Sequence, residues 1–187
     1  MWKEWQDASY YYFNAAPQWQ SFNNGNWKAV ETAVRKFAAQ KRISLKVYTG
    51  TEGQLRVGKA LAKVSLGAKV AGFETETNDL IPVPLHFWKL IYNPDDNSAI
   101  IFIGLNYPNK DFLEESNEAS GIENFPPRAL CPTDNPRLCE EAGWKFAEAN
   151  IFHKGFLYCC SVPEFRKRIP WALKAPNIPP GVKLLSI

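Results

Sequence analysis

Across residues 26–40 the apolar positions Trp27, Val30, Val34, Phe37 and Ala38 recur at intervals of three and four, with neither Gly nor Pro inside the run. That spacing predicts an amphipathic helix, because 3.6 residues per turn bring such positions onto one side. After the helix the period changes. Residues 43–49 alternate, Gly50-Thr51-Glu52-Gly53 carries turn-forming residues and Leu55-Arg56-Val57 could return, so a hairpin is expected there. A second strand pair is expected at 85–92 and 99–105, on either side of the turn cluster Asn93-Pro94-Asp95-Asp96-Asn97-Ser98. The continuously apolar 99–105 stretch predicts a central strand covered on both faces. Residues 106–135, rich in Pro, Asn, Glu and Ser, read as a long irregular surface connection. Residues 155–162 predict another strand, followed by a short helix from Pro163 with Ser161 as its cap. The tail from Pro176 reads as extended. Together these elements predict an α+β domain, a mixed or antiparallel sheet with the 26–40 helix packed against it.

Composition supplies the material for that core without naming a function. The chain has 187 residues, 45% of them apolar and 14% aromatic, enough for one domain spanning 1–187. A net charge of +3 permits a polyanionic partner but falls short of the excess expected of a protein that coats DNA. No apolar run reaches the length needed to span a bilayer, since 99–105 is only strand length. The opening residues, Met1 to Asp7, are amphipathic rather than a charged region followed by an apolar stretch, so they do not read as a signal peptide. Export of the parent protein would require further residues upstream.

Four cysteines, Cys131, Cys139, Cys159 and Cys160, lack the C-x-x-C spacing of a zinc ribbon. Adjacent cysteines rarely bond each other, so Cys159 and Cys160 are each expected to reach back to one of Cys131 and Cys139, with a local Cys131 to Cys139 bridge as the alternative. Disulfides imply an oxidising compartment.

Chemistry concentrates at the helix. Projected at about 100° per residue, its apolar positions fill one arc, and a helix continued back through Gly25 would place Asn23 inside that arc with Glu31 and Arg35 along its edge. Two plainer explanations compete: Asn23 as a helix cap, and Glu31 with Arg35 as an ordinary i,i+4 ion pair. The longer string is more specific. It runs Phe13-Asn14-Ala15-Ala16-Pro17-Gln18, then Asn23-Asn24-Gly25-Asn26-Trp27 through Glu31, then Arg35. This resembles the DNA/RNA non-specific endonucleases of the ββα-metal class, whose pattern is N-x-x-P-Q, then N-x-G-x-W-x-x-x-E, then an Arg four residues on. Weaker similarity continues in Val83-Pro84-Leu85-His86-Phe87-Trp88-Lys89, in Gly104-Leu105-Asn106-Tyr107-Pro108 and in Tyr158-Cys159-Cys160-Ser161-Val162.

The resemblance implies a secreted enzyme that hydrolyses phosphodiester bonds in DNA and RNA, contacting them through backbone phosphates, with Mg2+ or alternatively Mn2+ as cofactor. It places Asn23 on the family's protein ligand to the metal, Glu31 on the carboxylate that orients water there and Arg35 on the cation near the scissile phosphate. Asn14 and Gln18 fall on polar residues supporting the site. An amide oxygen with waters suits magnesium, a hard octahedral ion that keeps much of its hydration. Its charge, with that of Arg35, would stabilise negative charge gathering on the phosphate.

The family's general base is a His within a D-R-G-H motif that precedes the Asn-Pro-Gln segment. That motif is absent from these 187 residues, and neither His86 nor His153 has its sequence context. The resemblance is therefore to the second part of the domain, and the chain is expected to be a fragment or mis-started form of a full nuclease. The alternative is a non-catalytic extracellular paralogue that binds nucleic acid or another ligand. Lys28, Arg35, Lys36, Lys41 and Arg42, with Arg166-Lys167-Arg168, could meet phosphates, although such runs are usually solvated faces.

Overall fold

The computed structural model describes residues 16–57, 62–66, 81–107, 130–131, 135, 137–170 and 178–187. Most of the connection expected at 106–135 lies outside the described residues. The chain enters through a short helix, α1 (Gln20–Phe22), and a kinked turn, Asn23–Trp27, into the main helix α2 (Lys28–Lys41). Strand β1 (Lys46–Gln54) follows, then two small ladders, β2 (Arg56–Val57) with β3 (Ala62–Lys63) and β4 (Ser65–Leu66) with β5 (Ile81–Pro82). The long strands β6 (Pro84–Asn93) and β7 (Ser98–Leu105) form the expected hairpin across a turn at 94–97. Helix α3 (Leu138–Glu141), strand β8 (Leu157–Cys160), helix α4 (Val162–Arg168) and strand β9 (Lys183–Leu184) complete the order.

The main sheet runs β1-β6-β7-β8, antiparallel throughout, with β9 added parallel to β7. Both β6 and β7 are buried along their full lengths because each face of the sheet is covered. On one face, Val30, Val34 and Phe37 of α2 meet Ile91, Ile100 and Phe102, with Trp144 closing the layer. On the other, Trp88, Leu90, Ile101 and Ile103 pack with Phe165 of α4 and with Leu130, Ile169 and Ile178. Alternation along each strand sends successive side chains to opposite layers. The fold is thus α+β, with α2 lying across the strands as its amphipathic stripe required.

The hairpin expected between 43–49 and 55–57 does not form. Strand β1 continues straight through Gly50-Thr51-Glu52-Gly53 and pairs with β6, from Lys46 opposite Tyr92 to Gln54 opposite Pro84. Gly50 lies opposite Trp88, where a Cβ would come within 2.2 Å of the indole. It makes room for a cross-strand ring instead of turning the chain.

Cys131 is bonded to Cys160 and Cys139 to Cys159, with Cα–Cα separations of 5.7 and 5.1 Å. Neighbours on a strand point to opposite faces, so Cys160 enters the layer under α4 and Cys159 the layer under α2. The local Cys131 to Cys139 alternative is excluded. Ser161 occupies the N-cap of α4 but makes no side-chain capping bond, and Pro163 sits in the first turn. Among the described residues, no helix is long and apolar enough to cross a membrane.

Candidate active site

Two aromatic residues hold the Asn-rich turn in place. Phe22 and Trp27, at either end of Phe22-Asn23-Asn24-Gly25-Asn26-Trp27, are buried and form an edge-to-face cluster with Phe87 of β6, their ring centroids 5.5 to 5.9 Å apart. Such rings combine large apolar area with a preferred mutual geometry, so both ends of the turn are anchored. Gly25 leaves helical conformation at φ −90° and ψ −121°, which separates α1 from α2 by a kink. A Cβ on Gly25 would lie 2.8 Å from the Lys154 carbonyl oxygen, so this glycine permits close approach of the 152–154 turn.

The kink alters which asparagine faces inward. A straight helix would direct Asn23 to the core, but Asn23 is exposed and Asn26 is buried, with 2% of its surface accessible. The extra backbone rotation at Gly25 breaks the phase that the projection assumed. Asn26 Nδ2 donates to the carbonyls of Glu148 and Gly155, at 2.7 Å each, tying the turn to the chain preceding β8. Its burial is thereby compensated. Asn23, held between buried anchors, presents its amide to solvent.

The entering segment is fixed by a second buried asparagine. Asn106, fully buried just past β7, accepts from the Trp19 backbone N–H at 3.0 Å and donates to the carbonyls of Pro17 and Pro84. Gln18, between Pro17 and Trp19, is half-buried, and its Nε2 is shielded from solvent without a hydrogen-bond partner among the described residues. Asn14 lies outside the described residues.

Glu31 meets a residue that the helix pattern did not select. Lys89 of β6 faces α2, only 8% exposed, with Nζ 3.5 Å from Glu31 Oε1, 3.1 Å from Thr49 Oγ1 of β1 and 4.9 Å from the centre of the Trp27 ring. Burial pushes the Lys89 ammonium below the usual lysine range; Glu31 raises it through its charge and hydrogen bond, and the Arg35 charge lowers it. In place of the competing i,i+4 pair of Glu31 with Arg35, Glu31 pairs with Lys89. Arg35 stays exposed one turn along α2. Trp27 bridges the two parts, its ring beneath Lys89 and its backbone ending the turn that bears Asn23.

The two histidines differ in setting. His86 is three positions before Lys89 on β6, hence on the opposite sheet face, and is 2% exposed. Desolvation lowers its pKa from 6.5 to about 4, and its Nε2 has no hydrogen-bond partner among the described residues. His153 is exposed on the 152–154 turn. Neither contacts Glu31 or Lys89. Both Lys89 and Asn106 fall in segments whose weaker family similarity was visible in the sequence. Their burial was not.

Oxygen donors open to a cation here include the exposed Asn23 amide and the partly exposed Glu31 carboxylate. Among the described residues, no group of three His, Cys, Asp or Glu could hold a metal ion. This sparse, all-oxygen set suits a hard divalent cation that retains most of its water and would not hold zinc.

The profile of the DNA/RNA non-specific endonuclease family matches residues 1–165. A salivary endonuclease of Lutzomyia longipalpis is 32% identical over 168 residues, covering 87% of this chain and 34% of that protein. Salivary proteins Tsal2A and Tsal1 of Glossina morsitans morsitans are 26% and 23% identical over 87% and 91% of the chain, which covers 36% and 38% of theirs. The chain spans about a third of the length of these curated relatives. No solved structure gives a significant match. With most of its length, residues 1–165, matched by one profile, this chain belongs to the DNA/RNA non-specific endonuclease family.

Proposed function

We propose that this chain is the metal-site part of a secreted, magnesium-dependent endonuclease that hydrolyses phosphodiester bonds in DNA and RNA. The observation that carries the reading is the environment of Glu31, a carboxylate on the helix after an exposed Asn23, fixed by a buried lysine and followed by a solvent-facing Arg35. Asn23 offers a neutral oxygen to the cation, and Glu31 orients a water. Arg35 projects toward solvent, where it can meet a phosphate. Bound magnesium would supply Lewis-acid stabilisation of charge developing on the phosphate. The protein groups supply position: the turn is pinned by Phe22, Trp27 and Asn26, so little reorganisation is required when substrate arrives. Contacts to backbone phosphates carry little base information, in keeping with cleavage of both nucleic acids.

The general base is assigned to a D-R-G-H segment of a longer form of the protein, because neither His86 nor His153 lies in a D-R-G-H sequence and His86 is buried on the sheet face opposite Lys89. Secretion is supported by two disulfides and by salivary relatives. The test is cleavage of plasmid DNA and of RNA, with magnesium and with a chelator, by this chain and by a form extended upstream to include any D-R-G-H segment. Activity of the extended form that disappears with chelation, and in Asn23→Ala, is expected. Near-normal turnover by Asn23→Ala would sink the ligand assignment. Silence of both forms together with chelator-resistant binding of nucleic acid would support the non-catalytic paralogue instead.

A further inference from the structure

We infer that Lys89 is a positioning residue for the reaction, clamping the Glu31 carboxylate from the sheet side. The inference rests on the nuclease reading above and assigns a role to a residue outside the helix motif.

A lysine with 8% exposure is an expensive group to bury unless something nearby requires it. Lys89 has three neighbours in three directions: Glu31 at 3.5 Å from α2, Thr49 at 3.1 Å from the adjacent strand, and the face of Trp27 at 4.9 Å from the end of the turn bearing Asn23. The strand and the ring locate the ammonium, and the ammonium then restricts the carboxylate. Glu31 is 37% exposed in its side chain, so without that contact it would sample several rotamers on an open helix face. Restricting it to one orientation is what a water-aiming carboxylate needs, since catalysis depends on positioning set before substrate binds. Lys89 also offsets the Glu31 charge, which leaves Asn23 as the principal oxygen donor to a cation. A purely structural lysine would need neither a half-exposed partner nor a place under the turn.

The signature is a pair of opposite effects. Removing a cation from beside the site reduces repulsion of a divalent ion, while loosening Glu31 slows turnover. In the cleavage-competent protein, Lys89→Met is expected to lower kcat by roughly 10- to 100-fold, as loss of an orienting partner typically does, with KM for DNA changed little. Lys89→Arg, which keeps the charge, is expected to recover much of kcat. Adding Lys89→Met to Glu31→Gln should produce no further loss, because the lysine acts through the carboxylate. Separately, Mn2+ titration followed by electron paramagnetic resonance should show tighter binding in Lys89→Met than in wild type, and a smaller effect of the same change in the Glu31→Gln background. Equal loss of Mn2+ affinity and turnover, or additive effects in the double variant, would overturn the inference. If wild type binds Mn2+ but does not cut nucleic acid, the nuclease reading fails while the titration still decides the Lys89 to Glu31 coupling. If wild type binds no Mn2+, both fall.

Discussion

His86 should make this protein acid-sensitive well above the range in which carboxylates titrate. The imidazole is buried on β6, its Nε2 has no hydrogen-bond partner among the described residues, and desolvation takes its pKa from 6.5 to about 4. The folded state therefore resists a proton that the unfolded chain accepts readily. Stability from this group is fully present above pH 6.5 and declines as pH falls toward 4, because between those values the unfolded state binds more protons. Linkage over this shift amounts to about 3 kcal/mol once both states are protonated, and about 2 kcal/mol is already lost at pH 5. Urea unfolding of the full, oxidised chain at pH 7.5 and pH 5.0 measures that difference directly. In His86→Leu, which removes the titration but retains an apolar side chain against Leu105 of β7, the His86 contribution to the drop should vanish. Equal drops in wild type and variant would refute the reasoning, since the loss would then belong to other groups.

The turn and the disulfides give further expectations. Asn26→Ala removes two hydrogen bonds and leaves the Glu148 and Gly155 carbonyls short of a donor, so a loss of about 2 to 3 kcal/mol is expected in urea unfolding; a change below about 0.5 kcal/mol would show that the turn is not held this way. Breaking the Cys131 to Cys160 or Cys139 to Cys159 bridge by paired Ser substitution should cost about 3 kcal/mol each, on loop closure across sequence separations of 29 and 20. Non-reducing peptide mapping should recover those two pairs, and recovery of a Cys131 to Cys139 peptide would contradict the fold. The loss of chelatable activity in Asn23→Ala completes the set, read by plasmid nicking.

How far the sequence carries depends on whether a property is local. The α2 stripe, the β6–β7 hairpin and the family motif were legible because helix periodicity, turn residues and motif spacing are short-range. The same kind of reasoning failed at Gly50 and Gly53, where turn chemistry was present but a strand formed. There a long-range contact, the Trp88 ring against Gly50, outweighs local preference. It failed again at Asn23, since a projection at constant pitch has no means of registering the kink at Gly25. The disulfide pairing needed strand alternation at β8, which directs adjacent cysteines into different layers.

By itself, then, the sequence determined the α+β class, the family and the identity of the residues available for chemistry, all properties of composition and spacing. Only the tertiary structure decided which asparagine is buried, which cysteines pair, which histidine is stranded on the far face of the sheet, and that Glu31 is held by Lys89. Each of those outcomes depends on what lies across a sheet or beneath a helix, from 20 to 129 residues away along the chain, and burial of a polar group is defined only once those neighbours have met.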